Sequence, residues 1–243
     1  MKRAAIITGA TRGIGKGIFK KLAEQGVSIA TVYHKDEQKA DEFQSIACEL
    51  GVNYYIEKLD VCDFEKIDAF VNTVSKKFGR IDFLINNIGV DIFKTIEAVT
   101  VEEWQLSQNI ILNTPFYFCK FVLPYMRNQH FGRIINIGAS SKDYLKGAAG
   151  LGPFGIHKAA LTVLTKTLAL EEIRSGITVN MVAPGSTSNA GTNPEEKRIP
   201  ISQIPIGRRI EIDEIVAAVL YFLSDQAGSV TGQFIGVNGG MST

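Results

Sequence analysis

Cysteine is scarce in this chain: Cys48, Cys62 and Cys119 are the only three in 243 residues, far apart and without a C-x-x-C or histidine-interleaved spacing. That excludes a disulfide framework and gives no metal site, and the general tendency of cysteine to be buried places all three inside as reduced side chains without a role. Charge of one sign is lacking too. Lys plus Arg number 26 against 25 for Asp plus Glu, a net charge of +1, so no strong field favours nucleic acid or an anionic membrane as partner; a small, locally recognised molecule fits better. Long apolar runs are missing. The N-terminus offers only Ala4 to Ile7, far short of the ~20 residues of a membrane helix or of a signal-peptide core, and a cytoplasmic protein is expected. With no Pro/Ser-rich linker, low-complexity tract or internal repeat, residues 1–243 read as a single domain.

What is present is alternation. Short β-rich apolar runs recur at 3–9 (RAAIITG), 27–33 (VSIATVY), 52–60 (VNYYIEKLD), 81–87 (IDFLINN), 132–138 (GRIINIG), 177–183 (ITVNMVA) and 233–238 (QFIGVN). Segments of helical period fill most of the gaps, over 13–25, 36–51, 64–78, 101–128, 154–175 and 212–224. Strand followed by helix, repeated, predicts parallel strands joined by right-handed crossovers with helices on both faces: a Rossmann-type, doubly wound α/β domain of about seven strands. The stretch 185–210 has no clear period and contains Pro194, Pro200 and Pro205. A loop of that length in a compact domain is usually functional, so it is read as a substrate lid.

Directly after the first strand comes TGATRGIG, Thr8 to Gly15, with Gly13-Ile14-Gly15 opening the first helix. Glycines let the backbone turn tightly and approach a pyrophosphate, while the free N–H groups and partial positive charge of a helix start attract its oxygens. Gly9, Thr11, Arg12, Gly13, Ile14 and Gly15 are therefore candidate dinucleotide-binding residues. The spacing T-G-x-x-x-G-x-G resembles that of the short-chain dehydrogenase/reductase family, and the resemblance extends along the chain. Asp60-Val61 matches the family's adenine-contacting D-V, Asn87 and Gly89 match N-N-x-G, and Pro184-Gly185 matches the P-G that meets the nicotinamide. The C-terminal IPIGR, EIVAAVLYFLSD and VTGQFIGVNGGM segments are most similar to bacterial 3-oxoacyl-acyl-carrier-protein reductases. The resemblance implies a reductase of carbonyl substrates, 3-oxoacyl thioesters or relatives, assembled as a homotetramer.

Cofactor choice follows from charge. An acidic residue ending the second strand would hydrogen-bond a ribose 2′-hydroxyl and repel a 2′-phosphate, but that strand ends Val32-Tyr33-His34-Lys35. NADP(H) is expected over NAD(H), with His34 nearby and the Arg12 guanidinium suited to the extra phosphate.

Members of the family reduce a carbonyl with a Y-x-x-x-K pair, aided by a serine and an asparagine. The alkoxide left by hydride delivery needs an adjacent acid, and a phenol of pKa ~10 serves near neutrality only if a nearby cation lowers it. Here the segment reads F-G-I-H-K: Lys158 is kept and Phe154 occupies the tyrosine position. The asparagine position falls on Ile111, with Asn109 and Asn113 facing elsewhere, and the serine position on Ala139, or on Ser141 if the loop is longer. Lys158, Ser141 and Tyr144 are thus the candidate catalytic residues. Two readings stay open: a reductase with another acid, or a noncatalytic NADP(H)-binding subunit or sensor.

Overall fold

The computed structural model describes residues 2–139, 149–188 and 199–241. The seven apolar runs form strands β1 (Ala4–Ile7), β2 (Ser28–Tyr33), β3 (Tyr54–Lys58), β4 (Phe83–Asn86), β5 (Gly132–Ile137), β6 (Ile177–Pro184) and β7 (Phe234–Val237). They make one parallel sheet in the order β3-β2-β1-β4-β5-β6-β7. β1, β4 and β5 are buried along their whole length, which is why they read as unbroken apolar runs and not as alternating ones: helices cover both faces.

Among the described residues, seven α-helices do the covering: α1 (Gly13–Glu24), α2 (Glu37–Glu49), α3 (Phe64–Phe78), α4 (Val101–Gln108), α5 (Thr114–Gln129), α6 (Gly152–Glu172) and α7 (Ile212–Leu223). On one face Phe19, Phe43, Ile215 and Phe222 pack against Ala5, Ile7, Ile85 and Ile135. On the other, Phe70, Phe118, Met126 and Leu168 pack against Ile6, Leu84 and Ile134. Adjacent strand residues thus serve opposite cores, the period of two that a pleated strand imposes. Strand order reverses between β1 and β4, which opens a crevice beyond their carboxyl ends, the place where open α/β sheets bind ligands.

The single helix expected over 101–128 is broken. α4 ends at Gln108, a π-helical turn spans Asn109–Asn113, and α5 begins at Thr114. Pro115 supplies the cause: it has no N–H for the Ile111 carbonyl, and its ring would collide with that carbonyl in a regular helix, so the backbone widens by one residue. Thr114 accordingly bonds back five residues, its backbone N–H donating to the Asn109 carbonyl. The cysteine expectation also needs correcting, since Cys48 and Cys62 are exposed and only Cys119 is buried. On α2 the core-facing positions are Ala40, Phe43 and Ala47, and Cys48 falls one residue past that stripe; position on the helix overrides residue-type preference.

Beneath the crevice, Asn86 Nδ2 donates to Asn136 Oδ1 at 2.8 Å and Asn136 Nδ2 to Thr165 Oγ1 at 2.9 Å. This buried chain ties β4, β5 and α6 together and fixes the helix that carries Lys158.

Candidate functional site

The turn after β1 is shaped by glycine. Gly9 and Gly13 have φ of +71° and +54°, the left-handed region that costs other residues about 1–2 kcal/mol. At Gly15 an added Cβ would stand 2.2 Å from the Gly9 carbonyl oxygen and 2.7 Å from Asn87 Nδ2. The first turn of α1 therefore sits on the preceding loop with no room for a methyl group. Arg12, the N-cap, is extended and makes no side-chain cap bond, and the first turn holds no acidic residue. Among the described residues, no side-chain cap or first-turn carboxylate compensates the N–H groups and positive end of this 12-residue helix, the condition a pyrophosphate satisfies. The cradle fits a dinucleotide.

Asn87 locks this turn from β4: its backbone N–H donates to Thr8 Oγ1 at 2.9 Å, and its Nδ2 to the carbonyls of Thr8 at 3.0 Å and Gly9 at 3.3 Å. Thr11 and Ile14 are half-buried in the turn and Arg12 is exposed, with no ion-pair partner among the described residues. At the end of β2, His34 is exposed and the nearest carboxylates are already engaged. Asp36 caps α2 by accepting from the Lys39 N–H, while Glu37 pairs with Lys58 at 2.5 Å and accepts from the Tyr33 hydroxyl at 2.7 Å, which holds its carboxyl below the usual range. Asp60 accepts from the Cys62 N–H at 3.0 Å, and the Val61 carbonyl accepts from the Thr114 hydroxyl at 2.9 Å. At the end of β6, Gly185 donates to the Val237 carbonyl at 2.9 Å, and a Cβ on it would lie 2.8 Å from Asn238 Cα. Glycine is needed there.

Lys158 stands on α6 with its side chain 4% exposed, Nζ donating to the Ile137 carbonyl at 2.6 Å. Burial pushes its pKa down to about 8, against an upward pull from Asp91. One turn earlier on the helix, the Phe154 ring centroid lies 5.9 Å from that nitrogen, and the Phe93 ring packs on Phe154 with centroids 4.8 Å apart. Neighbouring His157 points elsewhere: Nδ1 is 2.9 Å from Ser107 Oγ and the ring meets Trp104 at 4.7 Å, and burial lowers its pKa. Ile111 is 1% exposed within the π turn, while Asn113 Nδ2 donates to Asn109 Oδ1 at 2.9 Å.

The fold thus gathers the glycine cradle, Asn87, Gly89, Lys158, Pro184 and Gly185 at the carboxyl ends of β1, β4, β5 and β6. Ser141 and Tyr144 lie outside the described residues, as do residues 189–198 of the 185–210 segment. The near part of that segment is anchored: Thr187 bridges Ile210, and Ile204 and Ile210 are each 2% exposed. Sequence reasoning missed Phe93, whose packing on Phe154 is set by the path of the β4–α4 loop and by no local pattern.

These features define a Rossmann-type α/β protein. Residues 9–242 match the family model described as enoyl-(acyl carrier protein) reductase. The chain is 36% identical to 3-oxoacyl-[acyl-carrier-protein] reductase FabG of Buchnera aphidicola subsp. Baizongia pistaciae, covering 99% of this chain and 97% of that protein. It is 37% identical to acetoacetyl-CoA reductase of Shinella zoogloeoides, covering 99% and 98%. Among solved structures, an actinorhodin polyketide ketoreductase variant crystallised with NADPH superposes with a TM-score of 0.90 at 28% identity, over 100% of this chain and 98% of that one. The chain belongs to the short-chain dehydrogenase/reductase family of oxidoreductases.

Proposed function

We propose that the protein is an NADP(H)-dependent carbonyl reductase for a small substrate of the 3-oxoacyl-thioester class, in which Phe154 stands where its relatives carry the proton-donating tyrosine. The observation that carries this reading is the continuity of the segment from Asn87 to Gly89. Asn87 bonds the phosphate cradle, and two residues later Gly89 would present a Cβ 4.0 Å from Lys158 Nζ, so the cradle and the buried ammonium share one site. A bound reduced nicotinamide supplies hydride to the substrate carbon. Lys158, its pKa pushed down to about 8 by burial, is one candidate acid among the described residues beside the crevice; Ser141 and Tyr144 are the further candidates. A phenylalanine cannot donate a proton, and this favours a second reading, a noncatalytic NADP(H)-binding subunit or sensor. Assay of NADPH oxidation against acetoacetyl thioesters and a panel of ketones separates the two. Turnover supports the first; measured NADPH binding with no turnover on any substrate supports the second.

Preference for NADP(H) rests on Arg12 and on the engagement of Asp36 and Glu37 within the protein, which leaves no free carboxylate at the end of β2 to repel a 2′-phosphate. Arg12→Ala is expected to weaken NADPH about tenfold, the scale of one charge-assisted hydrogen bond, and to leave NADH unchanged in calorimetric titration. Equal affinity of the unaltered protein for both cofactors would remove the charge argument.

The assembly is proposed to be a homotetramer, as the resemblance implies. Phe116 on α5 and Val163 and Leu170 on α6 are exposed, Leu170 at 81%, an apolar surplus that a partner would cover. Light scattering at micromolar concentration should give four times the chain mass; a monomer would refute it. Among the described residues no helix is long and apolar enough to cross a membrane.

A further inference from the structure

The buried stripe of α6 runs through Pro153, His157, Leu161, Thr165 and Leu168, the spacing of a core-facing helix side, and its second member is an imidazole. His157 is 3% exposed. Its Nδ1 lies 2.9 Å from Ser107 Oγ of α4, and its ring meets edge-on that of Trp104, one turn earlier on α4. Of the eight residues of α4, Ser107 is the one that is buried, and it is wholly enclosed. The nearby Lys94–Glu103 ion pair, at 2.5 Å, is open to solvent, the kind of pair that adds little stability. The seat of α4 on α6 therefore centres on His157.

The Ser107–His157 bond has a direction. Among the described residues the Ser107 hydroxyl has no other hydrogen-bond partner, and an enclosed hydroxyl proton needs an acceptor. The O–H thus donates to Nδ1, which places the proton of the neutral ring on Nε2. Protonation of Nδ1 turns it into a donor; the serine must rotate to accept, and its own proton is stranded. The new charge would be stranded as well. On α4, Glu103 is held by Lys94 and by the Thr100 N–H, and Glu102 is exposed. The π turn 109–113 and β6, also packed near α6, contain no charged residue. On α6 itself Lys158 is turned to the Ile137 carbonyl. The β4–α4 loop, with Asp91 and Lys94, meets α6 about one turn earlier, at Gly152 and Phe154. Lys142, Asp143 and Lys146 lie outside the described residues. Burial accordingly lowers the pKa of His157, and no charged group among the described residues opposes it.

We propose that His157 is a pH-sensitive positioning residue: as a neutral imidazole bonded to Ser107 it holds α4 on α6 beside Lys158, and its protonation in mild acid releases α4 and weakens the hold of the crevice on the dinucleotide. The consequence rests on the dinucleotide-binding reading, whereas the bond belongs to the free protein. The path to the site is short. His157 directly precedes Lys158, and α4 runs straight into the π turn that encloses Ile111. With its folded pKa lowered, His157 contributes stability that is fully present above the ordinary imidazole value of ~6.5 and is lost as pH falls through the folded value. Where the bound form requires the neutral ring, affinity falls below that midpoint by at most about tenfold per pH unit.

Trp104 is the chain's only tryptophan, so its emission reports this contact, and an imidazolium touching an indole quenches it. Emission of the cofactor-free protein, followed from about pH 8 to about pH 5 across the imidazole range, should show a quenching step centred below ~6.5. The step should vanish in His157→Gln, whose amide oxygen can still accept from Ser107, and should move upward in Ser107→Ala, which removes the bond that favours the neutral ring. His34 and His130 are exposed, so loss of the step in His157→Gln assigns it. Calorimetric titration with NADPH at about pH 7.5 and about pH 5.5 gives the consequence: Kd of the unaltered protein should rise about three- to tenfold more than that of His157→Gln, a comparison in which titration of the cofactor's own phosphate cancels. A step that persists in His157→Gln, no step at all, or parallel NADPH affinities of the two proteins overturns the proposal. If His157→Gln does not fold, Ser107→Ala carries the test, and an unshifted step there overturns it. A His157-dependent step in a protein that binds NADPH at neither pH leaves the bond's role in seating α4 standing and overturns the dinucleotide reading instead.

Discussion

Gly15→Ala is expected to weaken NADPH binding by about 10- to 100-fold, with the fold retained. The added methyl carbon would lie 2.2 Å from the Gly9 carbonyl oxygen and 2.9 Å from its carbon, backbone atoms that cannot rotate aside. The start of α1 must therefore back away from the turn, and the cradle opens. Asn87 Nδ2, 2.7 Å from the same point, must also move, which loosens its bonds to the Thr8 and Gly9 carbonyls. Overpacking of this kind costs about 1–3 kcal/mol, and if most of that falls on the bound geometry it becomes one to two decades in Kd. Gly26→Ala is the matched control. Gly26 also has a left-handed φ, +77°, but nothing lies within 4 Å of its added Cβ, so its penalty falls on stability alone. Calorimetric titration, alongside thermal unfolding of both variants, checks the difference. Equal NADPH affinities for Gly15→Ala and the unaltered protein would mean that the turn after β1 does not hold the pyrophosphate.

The parts of this fold legible in the sequence are those dictated by a short-range rule. Buried parallel strands show as unbroken apolar runs, and Thr8 to Gly15 shows as a strand-to-helix turn because only glycine tolerates its angles and contacts. The break in 101–128 was present as Pro115, but the apolar period continues through it, and periodicity does not report a single residue inserted in a π turn. Cys48 and Cys62 were misplaced by a residue-type average that ignores position: Cys48 falls off the core-facing side of α2, and Cys62 lies in the exposed turn before α3. Asp91 was beyond reach for a different reason. An aspartate in a loop is an ordinary turn residue, and what distinguishes this one, shielding from water opposed by the pull of a lysine 67 positions away, follows from the path of the β4–α4 loop and from no local pattern. The same topology explains why Lys158 and His157, adjacent in sequence, have separate surroundings: side chains of successive helical residues diverge by about 100°, so one meets the crevice and the other Ser107 and Trp104.

Phe154→Tyr should raise carbonyl reduction by ~10²-fold or more, the usual contribution of a well-placed general acid. The substitution adds one hydroxyl, on a ring whose centroid is already 5.9 Å from Lys158 Nζ, and positions four apart share a face of α6. A cation so placed stabilises phenolate and lowers the phenol's pKa toward neutrality. Phe93, 4.8 Å from the Phe154 ring, should continue to hold it in place, since the ring itself is unchanged. Two supporting positions limit the gain. Ile111 is fully enclosed, so Ile111→Asn buries an amide that must find partners in the π turn, and Ala139→Ser is needed to restore a hydroxyl at the end of β5. Groups that act as a catalytic unit do not add independently, so the single, double and triple variants are compared for NADPH oxidation, beside Tyr144→Phe in the unaltered background. Activity that appears with Phe154→Tyr and grows in the triple variant is the expected result. Substantial activity of the unaltered protein that vanishes in Tyr144→Phe would move the acid to Tyr144 and displace Lys158 from that role. Inactivity of the triple variant, with NADPH binding intact by calorimetry, would show that the carbonyl pocket itself is absent and that the chain binds the dinucleotide for a purpose other than reduction.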